Sequence, residues 1–423
     1  MRILLWHGYL LSGTGSNVYT RSIAREWSRA SHDVVVVCQE RRPELYDLAG
    51  AEVVRPDIGG VLPVFVLDRY EGLEARLLVD LGRPERERYV EANARALREL
   101  LPADLVFANH VVPGAPVAAA SGAATIAVKA HGSELEYALR ASPELARWAA
   151  ADLAHADAVF VGSAHVATVL EELVGAVDEI HTVPPGVDVD DFRPEPRDVA
   201  LQRLLAEAER DPPNPGGADE RRPDERNAER FAELFASDEP VVAYVGKLLY
   251  NKGVHLLFEA MRSVDARTLA VGFGDYRPEL ERLAPPGTLF TGALEHRHLV
   301  HLLPLIDVVA VPSIFPEAFG MVAAEAASAG TPPVVARHSG LAEVAAALAE
   351  EYPPSGRDLV AFAPGDVAEL ADTLRRILGL RPEERAELGR AARRVAVERW
   401  SWASVAARLL EPFSGGGPTG PSG

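Results

Sequence analysis

Cysteine is almost absent from this sequence, since Cys38 is the only one in 423 residues. A single thiol cannot close an intramolecular disulfide, so a small disulfide-stabilised secreted fold is excluded. Cys38 ends the apolar run VVVVC, which predicts a buried strand residue. We therefore expect a protein of a reducing compartment, with the cytoplasm as its location.

Positive charge is in deficit. Lysine and arginine number 43 against 62 aspartate and glutamate residues, which gives a net charge of −19 and a pI near 5.1. A surface with this balance repels nucleic acid and anionic lipid headgroups as a whole, so no nucleic-acid partner is predicted. Local basic patches can still form, and peripheral membrane contact stays open.

Long uncharged stretches are scarce as well. The only long one, residues 111–128, is rich in alanine and glycine and contains Pro113 and Pro116, so it does not predict a membrane-spanning helix. The N-terminal segment MRILLWHGY has too short an apolar run for a secretory signal and lacks a small-residue cleavage site. It predicts a first β-strand, and the sequence predicts no integral membrane segment.

The hydrophobic content, 48% of the chain, is sufficient for two α/β cores. In the first half, strand 3–6, helix 19–29 and strand 34–38 form a predicted βαβ unit. Further strands are predicted at 52–54, 105–108 and 126–128. Asn109 and His110 follow one of these strands, and strand ends bind ligands in open parallel sheets. Both residues are therefore candidates for acceptor binding.

The loop GTGSNV after the first strand invites a dinucleotide-binding interpretation. It has two of the three glycines of that fingerprint, but Val18 stands in place of the third and the loop is longer than the usual tight turn. An NAD(P)-dependent oxidoreductase is thus one alternative function.

The most informative stretch is residues 313–330, SIFPEAFGMVAAEAASAG. An apolar strand leads through Pro316 to a helix predicted to begin near Phe319 or Gly320. The free N–H groups of a helix start and its positive dipole end suit a phosphate. Glu317 and Glu325 stand on either side, and carboxylates bind pairs of hydroxyl groups well. A diphosphate between two sugar rings, as in a nucleotide sugar, matches this pattern.

Two lysines accompany another strand end. Strand 241–245 is followed by GKLLYNKG, in which Lys247 and Lys252 bracket the loop before the next helix. Two cations at one parallel-strand loop are consistent with neutralising the charge of a diphosphate leaving group.

The stretch EAFGMVAAEAASAGTPPVVA resembles the paired-glutamate motif of the retaining GT-B glycosyltransferases that use nucleotide-sugar donors (glycosyltransferase family 4, glycosyl transferases group 1). The resemblance covers nearly the whole chain and is strongest over 241–344. It implies an α/β protein of two Rossmann-like, doubly wound parallel-sheet domains that face a cleft, with a C-terminal helix that crosses back to the N-terminal domain.

The resemblance sets the expected domain boundaries. Residues 1–190 form the acceptor-side domain, 241–394 the nucleotide-sugar domain and 395–413 the crossover helix. A charged, proline-rich insertion at 191–240 departs from the family pattern; two short helices, at 199–209 and 227–235, are predicted to flank a mobile loop in it. The glycine-rich tail 414–423 is predicted to be disordered.

The resemblance implies sugar transfer to an unidentified acceptor with retention at the anomeric carbon, with domain closure excluding water. Lys247, Lys252 and the helix start would stabilise the departing diphosphate, Glu317 the sugar hydroxyls and Glu325 the ribose. His131, in KAHGSELEY, would reach the donor sugar near the reacting carbon. The remaining implied donor contacts are Gly15 in the first loop, Gly292, Ala293 and Leu294 at the base, and Phe319, Gly320, Met321 and Val322 at the helix start.

Three positions depart from the family pattern: Lys247 where arginine is commonest, Thr14 in place of a loop glycine, and Ser339 in place of the first of two glycines. No cofactor is expected beyond the donor, a UDP-, GDP- or ADP-sugar. No metal is expected either, although Asp188 and Asp190 spell DxD in a hinge-like segment.

His296, His298 and His301 are close together in sequence but do not share a helix face, so they do not predict a metal site. A non-catalytic nucleotide-sugar-binding protein would use the same residues as the transferase and remains a second alternative.

Overall fold

The computed structural model describes residues 1–11, 13, 15–67, 70 and 72–414. The chain divides into two compact units. The first unit comprises Met1–Gly186 together with the residues from Trp402 onward, and the second comprises Val187–Ser401.

The first unit is built on a seven-stranded sheet in the order β3-β2-β1-β6-β7-β8-β9, with all neighbouring strands parallel. Its central strands are continuous apolar runs because helices cover both faces, as parallel sheets require. The strands are β1 (Arg2–Trp6), β2 (Asp33–Val37), β3 (Glu52–Val54), β6 (Leu105–Asn109), β7 (Ile126–Lys129), β8 (Ala158–Val161) and β9 (Ile180–Thr182), and a separate pair consists of β4 (Val61–Val64) and β5 (Glu74–Leu77).

The helices of this unit up to Gly186 are α1 (Gly15–Arg29), α2 (Arg83–Leu100), α3 (Val111–Ser121), α4 (Pro143–Leu153) and α5 (Ala164–Val174). Helix α3 occupies the uncharged run noted above and is almost wholly buried. Cys38 follows β2 directly and is 1% exposed, as predicted. The first helix begins four residues earlier than expected, at Gly15.

The second unit contains a six-stranded parallel sheet in the order β12-β11-β10-β13-β14-β15. Its strands are β10 (Val241–Val245), β11 (Arg267–Val271), β12 (Leu289–Phe290), β13 (Val308–Val311), β14 (Pro333–Ala336) and β15 (Ala361–Phe362). Its helices are α6 (Arg197–Glu209), α7 (Asn227–Leu234), α8 (Val254–Met261), α9 (Arg277–Leu283), α10 (His296–Leu302), α11 (Met321–Ser328), α12 (Ser339–Glu351), α13 (Val367–Leu378) and α14 (Pro382–Arg399). Two parallel-sheet α/β units confirm the predicted fold class.

The region 191–240 is part of the second unit's core. Helices α6 and α7 bury Ala200, Leu204 and Phe231 completely. The intervening loop, which we expected to be mobile, is held instead by Asn214, which is 3% exposed. Its side-chain amide donates to Asp219 O at 2.9 Å and to Pro223 O at 3.1 Å. Buried hydrogen bonds thus fix this loop against its own unit.

The predicted single helix at 395–413 is wrong in detail. Helix α14 ends at Arg399, and a new helix, α15 (Trp402–Leu410), begins in the first unit, where Trp27 Nε1 donates to Ala406 O at 2.9 Å. Val187, the first residue of the second unit, donates its N–H to the carbonyl oxygen of Trp400, near the last residue of that unit, at 2.7 Å. The two ends of the second unit therefore lie side by side. Most of the predicted tail, from residue 415 on, lies outside the described residues.

Candidate active site

The polar residues predicted in the second unit gather where β10 and β13, neighbours in the sheet, reach their carboxyl ends. The two loops that follow these strands are joined through one carbonyl: Asn251 O accepts hydrogen bonds from Ile314 N at 3.0 Å and from Phe315 N at 3.2 Å. This role of Asn251 was not predicted, because residue type does not reveal a hydrogen bond accepted by a backbone carbonyl. The two loops are thereby held as one surface.

Two of the predicted residues meet on this surface. Lys252 Nζ lies 2.5 Å from Glu317 Oε1, and the two side chains are 27% and 22% exposed. Both are therefore accessible to a ligand while neutralising each other. A ligand phosphate can bind the Lys252 ammonium, and a sugar hydroxyl can bind the Glu317 carboxylate, in place of the ion pair. Neither charge is then left buried without a partner.

Helix α11 begins as predicted. Gly320 is its N-cap with φ +115°, and Met321 is the first helical residue. This φ favours glycine, and a Cβ at Gly320 would lie 2.5 Å from Leu341 Cδ2, so a side chain here would also require Leu341 to move. The ring of Phe319 packs edge-on against Trp400 and is buried, which anchors the loop. The first N–H groups of α11 are in the position suited to an anion.

The start of α12 supports the loop that carries Glu317. Ser339 Oγ accepts the Glu317 N–H at 2.9 Å, Glu317 O accepts the Gly340 N–H at 2.9 Å, and His338 Nε2 donates to Ser313 O at 2.7 Å. Ser339 holds φ +47°, a conformation that favours glycine. The departure from a glycine pair noted above therefore adds a hydroxyl that fixes the Glu317 backbone.

Glu325 lies five residues into α11, counting from the Gly320 cap, and is half-buried. Desolvation by burial raises the pKa of its carboxyl to about 7. A carboxylate of this kind gains by accepting hydrogen bonds from ligand hydroxyl groups. Glu325 thus has the properties expected of a hydroxyl-binding group.

Lys247 is exposed and stands before the turn that leads to Lys252. Its carbonyl accepts a 2.7 Å hydrogen bond from the Tyr244 hydroxyl, which fixes the backbone beside Gly246. Within the described residues the Lys247 ammonium has no ion-pair partner, so it is available to an anion. Tyr244 was not predicted to take part, because an aromatic residue in an apolar strand indicates packing.

The three backbone positions predicted at the base follow β12. Gly292 is buried and Ala293 and Leu294 are half-buried. Gly292 also forms an antiparallel bridge with Pro223, and Ala293 N–H donates to Arg222 O at 3.2 Å. Part of this backbone is therefore occupied by the region between α6 and α7, which the sequence did not predict.

The structure of the first unit brings Asn109, His110 and His131 together at the carboxyl ends of β6 and β7. His131 Nε2 donates to Asn109 Oδ1 at 2.7 Å, and the rings of His110 and His131 are 4.7 Å apart. Burial, followed by the neighbouring His110, lowers the pKa of His131 well below the usual value, so its imidazole is neutral.

Glu134 organises this group and was missed as a functional candidate. Its carboxylate accepts the His131 N–H at 2.8 Å and lies 3.3 Å from His110 Nδ1. Burial opposes its ionisation, but His110 and these hydrogen bonds bring the pKa of Glu134 below its usual value. The spacing H-x-x-E in KAHGSELEY is the sequence signal from which it could have been identified.

Gly15 opens α1 in the first unit, so its N–H is among those that a helix start leaves without an intrahelical partner. Thr14, the predicted replacement for a second glycine, lies outside the described residues.

The three histidines of α10 each face an acidic residue of the segment before or within α6–α7: His296 Nε2 to Asp191 at 2.9 Å, His298 Nε2 to Asp211 at 3.1 Å, and His301 Nδ1 to Glu195 at 3.0 Å. They pair separately. Among the described residues, no group of three or more histidine, cysteine or acidic side chains is arranged to hold a metal ion.

A search of the same residues finds no helix with the length and apolar character needed to span a bilayer.

Two family models match the chain. The model described as glycosyl transferases group 1 matches residues 225–395, and the model described as glycosyltransferase family 4 matches residues 13–191. The first lies in the second unit, which holds Lys252 and Glu317, and the second covers most of the first unit.

Curated relatives have related names. D-inositol 3-phosphate glycosyltransferase of Xylanimonas cellulosilytica is 32% identical over 62% of this chain and 58% of its own length, so this chain spans less than two thirds of that relative. The GDP-mannose-dependent alpha-(1-6)-phosphatidylinositol monomannoside mannosyltransferase of Mycolicibacterium smegmatis is 28% identical over 71% of this chain and 72% of its own length.

Solved structures share the fold. Anabaena HepE, crystallised with UDP and glucose, aligns with a TM-score of 0.68 at 18% identity over 98% of this chain and 100% of its own. Sucrose-phosphate synthase from Thermosynechococcus elongatus aligns with a TM-score of 0.64, also at 18% identity, over 98% of both chains. The models and relatives named here are glycosyltransferases and do not support the NAD(P)-dependent oxidoreductase alternative. Since the two family models together span most of the chain, this protein belongs to the group 1 (family 4) glycosyltransferases with the GT-B fold.

Proposed function

We propose that this protein transfers a sugar from a nucleoside-diphosphate sugar to an acceptor with retention of the anomeric configuration. The observation that carries the proposal is the meeting of Lys252 and Glu317, 2.5 Å apart, beside the start of α11. A cation, a carboxylate and a set of free N–H groups at the carboxyl ends of two neighbouring strands match the diphosphate and the hydroxyl groups of such a donor.

The diphosphate is the leaving group in this proposal. When the bond between the anomeric carbon and the phosphate oxygen breaks, the electron pair stays with the diphosphate. Lys247, Lys252 and the N–H groups from Gly320 to Val322 stabilise the added charge. Fixed donors aimed at developing charge are the most effective kind of transition-state stabilisation.

The two glutamates bind hydroxyl groups on opposite sides of the diphosphate, Glu317 those of the transferred sugar and Glu325 those of the ribose. Donor binding separates Lys252 from Glu317, and each then contacts the part of the donor that suits its charge. The backbone of Gly292, Ala293 and Leu294 borders the base.

The acceptor oxygen forms the new bond on the face that the diphosphate leaves, and a donor phosphate oxygen takes the acceptor proton. We assign the donor to the second unit and the acceptor to the first, with Asn109 and His110 as acceptor contacts. His131 orients the donor sugar through hydrogen bonds, since its imidazole is neutral, and Gly15 contributes an N–H to the phosphates.

The relatives and structural neighbours are named with different donors. One curated relative is named as GDP-mannose-dependent, and the HepE structures contain UDP with glucose or UDP-glucose. For this chain the proposal therefore covers UDP-, GDP- and ADP-sugars.

A panel of these sugars tests the proposal. We expect at least one to raise the melting temperature of the protein, because a ligand that binds only the folded state stabilises it. In the presence of water or an added acceptor, the same sugar should release nucleoside diphosphate. Stabilisation without any release in a broad acceptor screen would favour the non-catalytic nucleotide-sugar-binding alternative. If no sugar of the panel either stabilises the protein or releases nucleoside diphosphate, the proposal is refuted.

A further inference from the structure

We infer that residues 219–224, between α6 and α7, determine which nucleobase the donor carries. This inference rests on the proposed function, because it requires a nucleoside diphosphate along the carboxyl edge of the second unit's sheet. It goes beyond the family pattern, since this segment belongs to the region that departs from it.

The segment forms an additional strand-like edge beside β12. Pro223 and Gly292 form an antiparallel bridge. Asp224 N–H donates to Thr291 O at 2.7 Å, and Ala293 N–H donates to Arg222 O at 3.2 Å. The backbone predicted to border the base is thus shared with this segment, and Ala293 N–H is already engaged by it.

The contact is anchored by a charged pair. The Asp224 carboxylate accepts two hydrogen bonds from the Arg277 guanidinium, at 2.9 Å and 2.7 Å, and the side chains are only 13% and 21% exposed. Paired hydrogen bonds of this geometry are strong and directional. Asn227 Nδ2 adds a hydrogen bond to Thr291 O at 2.9 Å. The segment is therefore fixed on the end of β12 and the start of α9.

Gly292 permits this close approach. Its φ is +68°, and a Cβ there would lie 2.5 Å from Arg222 O and 2.6 Å from Asp224 Oδ1. A side chain at this position would displace the segment. Because Gly292 has no side chain, residues 222–224 can pack directly against the backbone at the predicted base position.

The segment also displays polar side chains beside that position. The buried Asn214 closes the turn by accepting the Asp219 N–H at 2.9 Å and donating to Asp219 O and Pro223 O. The turn leaves Glu220, Arg221 and Arg222 exposed. Bases differ in their hydrogen-bond donors and acceptors, and sites with matching polar groups discriminate strongly between them.

The order of the strands places the segment at the right distance from the phosphates. Lys247 and Lys252 follow β10, and β12 is two strands away in the sheet. At about 4.8 Å per strand, this separation is ~10 Å, comparable with the extent of a nucleoside diphosphate. A donor whose phosphates lie at β10 and α11 therefore has its base at Gly292 and the segment 219–224.

A purely structural role predicts a different result from the same experiment. An edge strand as short as β12 benefits from being covered, and the segment would then affect stability without affecting ligand choice. Isothermal titration calorimetry with UDP, GDP, ADP and pyrophosphate separates the two roles, because pyrophosphate has no base.

The variants are Asp224→Ala, Asp224→Asn, Arg222→Ala and, as a matched control, Glu229→Ala. Glu229 pairs with Arg226 on the surface of the same region. We expect Asp224→Ala to change the ratio of Kd values between the best and second-best nucleoside diphosphate at least fivefold, with the pyrophosphate Kd within twofold of the original. Arg222→Ala should change the ratio at least threefold, Asp224→Asn less than Asp224→Ala, and the control not at all.

Unchanged ratios in folded Asp224→Ala and Arg222→Ala would overturn the inference and leave the segment as edge cover. If Asp224→Ala does not fold, the exposed Arg222→Ala decides by the same criterion. Failure of the unaltered protein to bind any of the three nucleoside diphosphates would overturn the proposed function together with this inference, whereas binding with unchanged ratios overturns the inference alone.

Discussion

Lys252 and Glu317, which are 65 positions apart in the chain, form a 2.5 Å ion pair at the carboxyl ends of two neighbouring strands. One is the proposed ligand of a diphosphate and the other of sugar hydroxyls. In the absence of donor, each charge is compensated by the other. Removing either should therefore have different effects on binding and on turnover.

The first prediction uses this pair. Lys252→Ala should weaken nucleoside diphosphate binding about tenfold, because a phosphate contact is lost and Glu317 remains as a nearby negative charge. Glu317→Gln should leave that affinity unchanged or improve it, since Lys252 is released, yet lower kcat about 100-fold through the loss of sugar positioning. Calorimetry and initial rates measure the two effects. Equal losses of affinity in both variants would contradict the assignment of roles.

The second prediction concerns Glu325 and pH. Its pKa is raised by burial from an ordinary value of 4.5 to about 7. The protonated carboxyl is favoured in the fold, so the associated stability is complete below pH 4.5 and is lost as pH rises through about 7. Glu325→Gln should therefore be more stable than the unaltered protein at pH 8, by up to about 3 kcal/mol, and equally stable near pH 4.5.

Urea unfolding at the two pH values measures this difference. Glu209→Gln is the control, because Glu209 is an exposed residue at the end of α6 in the same unit. A stability difference for Glu325→Gln that does not vary with pH would contradict the prediction. The same variant should weaken nucleoside diphosphate binding at pH 8, where the native carboxylate accepts the ribose hydroxyls.

The third prediction separates the two properties of Ser339. Ser339→Ala loses the hydrogen bond to Glu317 N–H and keeps a Cβ at φ +47°, so it should destabilise the protein by about 1 kcal/mol. Ser339→Gly loses the same hydrogen bond but relieves the backbone, so its stability should be close to the original. Both should raise the KM for the donor to a similar extent, because both loosen Glu317. A donor KM raised only in Ser339→Ala, the less stable of the two variants, would contradict this view.

The fourth prediction addresses the neutral His131. Asn109→Ala removes the acceptor of its 2.7 Å hydrogen bond and should lower kcat about tenfold with nucleoside diphosphate affinity unchanged. Asn109→Asp places a carboxylate there instead, which should raise the pKa of His131 and move the pH–rate profile. Asn17→Ala is the matched control, because Asn17 accepts a similar 2.8 Å hydrogen bond from the buried His7. A profile unchanged in Asn109→Asp would show that His131 does not titrate in the working range.

Local patterns predicted much of this structure. The apolar runs located β1 and β10, and Gly320 located the start of α11 to within one residue, because backbone conformation and burial period act over a few residues. The same signals predicted that Lys252, Glu317 and Glu325 belong to one domain, and all three lie in the second unit.

The parts that local patterns missed depend on distant partners. The hydrogen bonds between Asp224 and Arg277 join residues 53 positions apart, so the charged composition of 191–240 suggested a mobile loop. Likewise, the helical pattern from 395 onward does not reveal the break after Arg399, which occurs where the chain passes from one unit to the other. Asn251 and Ser339 act through or upon backbone atoms, and residue type alone does not record such contacts.

The neighbouring ends of the second unit have a consequence for modularity. Val187 and Trp400 are hydrogen-bonded to each other, so the second unit is one continuous chain segment whose two ends are adjacent. Exchanging this segment with the corresponding segment of a relative requires only two junctions, which lie next to each other. Chimaeras of this kind would transplant the donor preference proposed here without altering the chain order of the host.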